Sequence, residues 1–214
     1  MAWISRLAAF TALLCLSSLA SAASAEENHD NFFASISVDG KKIGHVHYSI
    51  QHNEQGELEV LKTRASYSVL GVKLYDFAQN LHEQWSSGEL QTLNGHTNDD
   101  GKVYDTDVKR TAEHYEATLN EKPLTLPHDA FPISLWHFAV SQQTLLFDLQ
   151  DLKLLKVKVA GHEESLPWNG KTIRTERFDF TGDWEGSVWF DQDKQFVKAE
   201  YLSDKRKVTI LLDP

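Results

Sequence analysis

The chain reads as a mainly β protein, built as a single antiparallel curved sheet or half-barrel of about ten strands with one short helix. Three observations lead there. Apolar residues alternate with polar ones over most of the length. Short Asp/Asn/Gly/Ser clusters interrupt that alternation at the spacing of hairpins. A single proline-led stretch carries apolar residues at helical spacing instead.

Phe32, Ala34, Ile36 and Val38 share one face of a first strand. Asp39-Gly40 then supplies the strongest short hairpin signal, since a tight primed turn needs positive φ. In the second strand, Lys42 to Gln51, Val46, Tyr48 and Ile50 face one way and His45, His47 and Ser49 the other. The third strand carries Leu61, Ala65, Tyr67 and Val69. Gly71 is expected to bend or bulge the chain before a fourth with Tyr75, Phe77, Leu81 and Trp85. "LQTLNGHT", "KVYDTDVKR" and "HYEATLN" follow as strands, separated by the turns "SSGE" and "NDDGK".

From Glu121 to Asp148 the rhythm breaks. Pro123, Pro127 and Pro132 rule out central strands. "PISLWHFAVSQQTLLF" predicts a short helix with Pro132 in its first turn and Ile133, Trp136, Ala139 and Val140 on one stripe. Alternation resumes at Leu154 to Val159. A loop is expected at "SLPWNGK", and "TIRTERFDFTG", "DWEGSVWFD", "QFVKAEYLS" and "KVTILLD" close the chain as a meander.

The first 25 residues have the form of a cleaved secretory signal. Arg6 gives the charged start, Leu7 to Leu19 the apolar region, and Ala23-Ser24-Ala25 the small-residue cleavage site. Residues 26–214 then form one antiparallel β domain, periplasmic or secreted. Cys15 follows Leu14 rather than a small residue, which argues against a lipoprotein, and its removal leaves no thiol. No later stretch approaches the 18 or so apolar residues of a membrane helix. The formal charge of −10 becomes −11 without Arg6, which repels nucleic acid.

Chemistry-bearing patterns are sparse. His45 and His47 place two imidazoles roughly 7 Å apart on one strand face, and His96 or an acid of "YDTD" could complete a zinc site. Ten scattered histidines make that spacing unremarkable, so a solvated sheet face is the preferred reading. Asp105 and Asp107 share a strand face and are read as a solvated edge. His137, about 100° round the expected helix from Trp136, is expected to be exposed. There is no GxSxG elbow, HExxH or phosphate-cradling glycine loop. No catalytic residue, metal ligand or cofactor is therefore assigned.

The Pro-led "PISLWHF", the step "LLFDLQDLKLLKVKVAG" and the paired "RFDFTGDWEGSVWFDQDKQFVKAEYL" resemble a secreted bacterial family of unknown function. The opening "FFASISVDGKKIGHVHYSI" fits that family's first hairpin, so the resemblance spans most of the mature chain. "SDKRKVTI" departs from the expected Asp-Gly turn. The layout is also similar, in architecture alone, to LolA/LolB-type lipoprotein carriers, whose curved sheet is plugged by short helices. The family implies no catalytic residues.

The aromatic load carries the functional expectation. One short helix cannot cover a broad sheet, so the sheet must curl, hold something in its groove or meet a partner. Tyr48, Tyr67, Phe77, Trp85 and Trp136 are the candidates to line an apolar cavity. The first reading is a non-enzymatic carrier of a lipid or acyl chain. The alternatives are an envelope enzyme acting on a lipid or glycan, and an interaction module with a filled barrel and an envelope protein as partner.

Overall fold

The computed structural model describes residues 29–53, 56–70, 72–203 and 205–214. The expected signal segment and the bend at Gly71 lie outside the described residues. Among the described residues, fifteen strands make one sheet rather than about ten. The first eight are β1 (His29–Val38), β2 (Lys41–Asn53), β3 (Gly56–Val69), β4 (Val72–Ser86), β5 (Glu89–Asp99), β6 (Lys102–Arg110), β7 (His114–Leu119) and β8 (Lys122–Pro127). The remainder are β9 (Phe131–Pro132), β10 (Leu145–Phe147), β11 (Leu154–Trp168), β12 (Lys171–Gly182), β13 (Gly186–Asp191), β14 (Phe196–Ser203) and β15 (Arg206–Leu212).

The order runs from β8 back to β1, then across to β15 and back to β9. Two meanders are thus joined where the first strand meets the last, with Ile36 opposite Ile210. All the pairings are antiparallel except β9 with β10. The Asp39-Gly40 turn has both residues at positive φ, 49° and 79°, as a primed hairpin turn requires.

The sequence reading misses strands mainly within the proline-containing stretch. β8 holds Pro123 and Pro127 and is one edge of the sheet, and β9 holds Pro132 and is the other. A proline, having no N–H to donate, is tolerated where one side of the strand has no ladder. The loop expected at "SLPWNGK" is also corrected. β11 continues to Trp168, and only Asn169-Gly170, at φ 48° and 70°, form the turn. Pro167 is accommodated because β10 pairs with β11 only as far as Lys156.

The expected helix is a correction of a different kind. Residues 133–137 are not helical, and a single 3-10 turn covers Phe138–Gln142. The stretch passes through the interior and finds apolar partners in several directions, not along one stripe. Phe138 meets Phe178 and Phe190 edge-on, while Val140 is wholly buried. An α-helix would satisfy one face only. This plug, together with β10 and the turn after it, divides the interior. One core gathers inward residues of β1–β3 and β11–β15, and a second gathers those of β4–β8 with Phe147 and Leu152. Strands remote in sheet order share a core, so the sheet curls round the plug.

Candidate functional site

The interior holds two features: a cavity and a buried polar cluster beside it. The cavity, about 620 Å³, lies between the plug and the inward faces of β1–β4, β14 and β15. Ile36, Val46, Leu61, Phe77, Trp136 and Ile210 are among its apolar walls. At its rim, Asp99 accepts hydrogen bonds from the Tyr75 hydroxyl (2.9 Å) and the Gln150 amide (3.1 Å). Arg206 pairs with Asp39 at 2.9 Å, and both Arg206 and Lys41 lie over the Tyr67 ring. Burial raises the pKa of the lining Asp148 above the ordinary carboxylate value. The β3–β4 hairpin tip stands at the same end with Leu70 fully exposed and Val72 and Leu74 largely so; Leu74 also lines the cavity.

Of the five expected lining residues, Tyr67, Phe77 and Trp136 face the cavity. Tyr48 is buried behind Trp136, with ring centroids 5.1 Å apart and nearly parallel. Trp85 belongs to the second core, where its ring lies against Phe131 and His137.

The polar cluster was not anticipated. Glu59 on β3 and Glu83 on β4 are register partners, both on the inward face, and only 2% and 3% exposed. The plug supplies their partners. A turn closed by His137 N–H donating to the Ser134 carbonyl presents both side chains to the acids. His137 Nε2 donates to Glu59 Oε2 at 2.8 Å, the Ser134 hydroxyl to Glu83 Oε2 at 2.9 Å, and the Trp85 indole N–H to the same oxygen at 2.9 Å. His137 therefore ties the plug to the sheet and is not the exposed residue expected.

Electrostatics follow from that geometry. Burial first, and then the facing Glu59 charge, push Glu83 up to about 7. Burial alone would lower the His137 pKa, but the hydrogen bond to Glu59 and the acids around it raise it. Burial, then the Glu59 charge, also push the Tyr48 phenol upward. The signal in the sequence was available. Glu59 lies two residues before Leu61, and Glu83 between Leu81 and Trp85, so both fall on the apolar side of their strands. Both of these in-phase acids are buried.

The histidine and aspartate pairs do not converge. His45 is exposed, while His47 stacks on Phe33 at 4.6 Å and contacts Asn31. His96 does pair with Asp105 at 2.6 Å, on the outer face, with both side chains more than half exposed. His47, Lys62, Asn80 and His96 lie in one row across four strands, so His47 and His96 are about 14 Å apart. Asp107 accepts a hydrogen bond from Asn94.

A curled antiparallel sheet round an internal plug, with an apolar cavity and a buried acidic pair, defines a barrel-like β protein. Residues 35–213 match the family described as a domain of unknown function, DUF6134, and the chain belongs to that family. No curated protein matches it. A crystal structure described as a β-barrel-like protein of the domain of unknown function DUF1849, from Brucella abortus, is similar in fold, with a TM-score of 0.60. The match is 9% identical and covers 87% of this chain and 96% of that one. The expected likeness to LolA/LolB-type carriers is not confirmed. No helix among the described residues is long and apolar enough to cross a membrane.

Proposed function

We propose that the protein binds an apolar ligand, a lipid or acyl chain, in the cavity between the plug and the sheet, and acts in the periplasm or outside the cell. One observation carries this reading. A space of about 620 Å³, within the range of small-molecule pockets, is walled largely by aliphatic and aromatic side chains and rimmed by a few polar groups. The exposed apolar hairpin tip at the same end suits contact with an amphiphile's source. A barrel filled for interaction alone would not leave that space. Tyr67, Phe77 and Trp136 are the contacts assigned to the ligand.

The enzyme reading has one observation in its favour, the Glu59, Glu83 and His137 cluster. Those side chains do not line the cavity, and Trp136, which does line it, lies over Tyr48. The carrier reading is therefore preferred.

Native mass spectrometry of protein purified from its own source, followed by lipid extraction, tests the proposal. A co-purifying acyl or isoprenoid species supports it and identifies the ligand. Protein that arrives empty and also fails to take up a fluorescent fatty acid overturns it.

A further inference from the structure

We propose that Glu59, Glu83 and His137 form a binding site for one divalent metal ion, with zinc the best match. One oxygen from each glutamate and one imidazole nitrogen lie within 4.8 Å of one another. They come from two adjacent strands and from the plug, so the ion would fasten the plug to the sheet. This inference stands apart from the cavity reading.

Charge gives the first reason. Two carboxylates occupy neighbouring, almost fully buried positions, and no lysine or arginine among the described residues pairs with either. With the His137 Nε2 proton displaced, as ligation requires, the two buried anions need compensating charge, which one divalent cation supplies in full. The second reason is independent of charge. Glu59 Oε1 is buried and makes no hydrogen bond of good geometry, although its other oxygen is bonded to His137 and the Tyr48 phenol stands close to the carboxylate. A buried acceptor without a partner is costly, and a metal held by both oxygens of Glu59 would satisfy it.

One oxygen from each glutamate and His137 Nε2 supply three of zinc's four positions, and the second Glu59 oxygen, chelating at a narrower bite, or a water takes the fourth. Bonds of about 2.1 Å to a tetrahedral ion put donors from different residues roughly 3.4 Å apart. The present separations, from 2.8 Å for His137–Glu59 to no more than 4.8 Å, bracket that spacing. Mixed carboxylate and imidazole ligation suits zinc better than calcium or magnesium, which take oxygen donors. Ser134 and the Trp85 indole already hold Glu83 in place, as outer partners of metal ligands do. His137 keeps part of its ring exposed, which leaves a route for the ion.

The test begins with protein stripped by EDTA, dialysed, incubated with excess Zn²⁺ and passed through a desalting column. Bound zinc is then measured by elemental mass spectrometry. One equivalent is expected, with a higher unfolding temperature. It should persist in the His45→Ala/His47→Ala double variant and be lost in Glu83→Gln and His137→Gln. Ser134→Ala should weaken affinity by about 10- to 100-fold. No retained zinc in the wild type, or equal retention in folded Glu83→Gln, overturns the proposal. If the cluster variants fail to fold, Co²⁺ added to the His45→Ala/His47→Ala protein decides. An intense tetrahedral visible spectrum supports the site, and a weak octahedral one overturns it.

Discussion

Glu59 and Glu83 face each other across β3 and β4 as direct register partners, both on the inner face and both nearly inaccessible to water. Like charges directly opposite in a sheet are destabilising, and more so where water cannot screen them. Holding a proton, a cation or both is how such a pair persists, and the plug residues Ser134 and His137 are placed on it.

A pH dependence follows for the metal-free protein. The Glu83 value of about 7 when folded lies above the roughly 4.3 of an unfolded glutamate. The folded state therefore binds more protons between those values. This contribution is fully present below about pH 4 and is lost as pH rises through 7. Glu83→Gln, which mimics the protonated acid, should be close to neutral at pH 4. It should gain stability over wild type by pH 8, by roughly 4 kcal/mol at most. Urea unfolding of both proteins across that range, in EDTA, is the measurement. Parallel pH profiles would contradict it.

Trp136 joins the plug to both the cavity and the core. It stacks on Tyr48 and lies 4.4 Å from the Phe196 ring, at 57°. Trp136→Ala should cost about 3 kcal/mol, seen as a lower urea midpoint with an unchanged slope. A loss below about 0.5 kcal/mol, the level of an ordinary surface change, would mean that the plug is not anchored there.

Ala65 lies on β3 against the cavity and is small. Ala65→Phe should fill part of that space, abolishing fatty-acid uptake while the far-ultraviolet spectrum stays that of the wild type. Unchanged uptake would move the ligand elsewhere.

Gly44 on β2 is a packing glycine. A Cβ built there would lie 2.1 Å from the Arg64 carbonyl oxygen and 2.6 Å from Ala65 Cα. Both are backbone atoms of the paired strand and cannot rotate away. Gly44→Ala should cost about 3 kcal/mol by forcing β2 and β3 apart, measured as a fall in urea midpoint.

Much of the architecture was legible in the residues themselves. Period-two alternation gave the inward faces of β1 and β2 correctly, because a strand has only two sides and Ala34, Ile36, Val46 and Tyr48 are all buried. Asp39-Gly40 specified its own turn through local backbone preference. The outward placement of His45 followed from the same alternation. Glu59 and Glu83 were in phase with their apolar neighbours too, but a strand pattern does not say which strand lies beside which, or in what register.

The plug could not be derived from local pattern. Ile133, Trp136, Ala139 and Val140 have helical spacing, yet surroundings apolar in several directions, together with two carboxylates that hold Ser134 and His137, favour an extended path and one 3-10 turn. Local preference is worth tenths of a kcal/mol per residue, whereas burial of one large side chain is worth about 2 kcal/mol. The sequence by itself determined the β class, the Asp39-Gly40 turn and the facing of β1 and β2, because these depend on neighbours along the chain. Tertiary structure alone decided the closure of the sheet, the cavity and the meeting of Glu59, Glu83 and His137. Those depend on contacts between residues far apart in the chain, 78 positions for His137 and Glu59 and 178 for Ala34 and Leu212, and no local period encodes them.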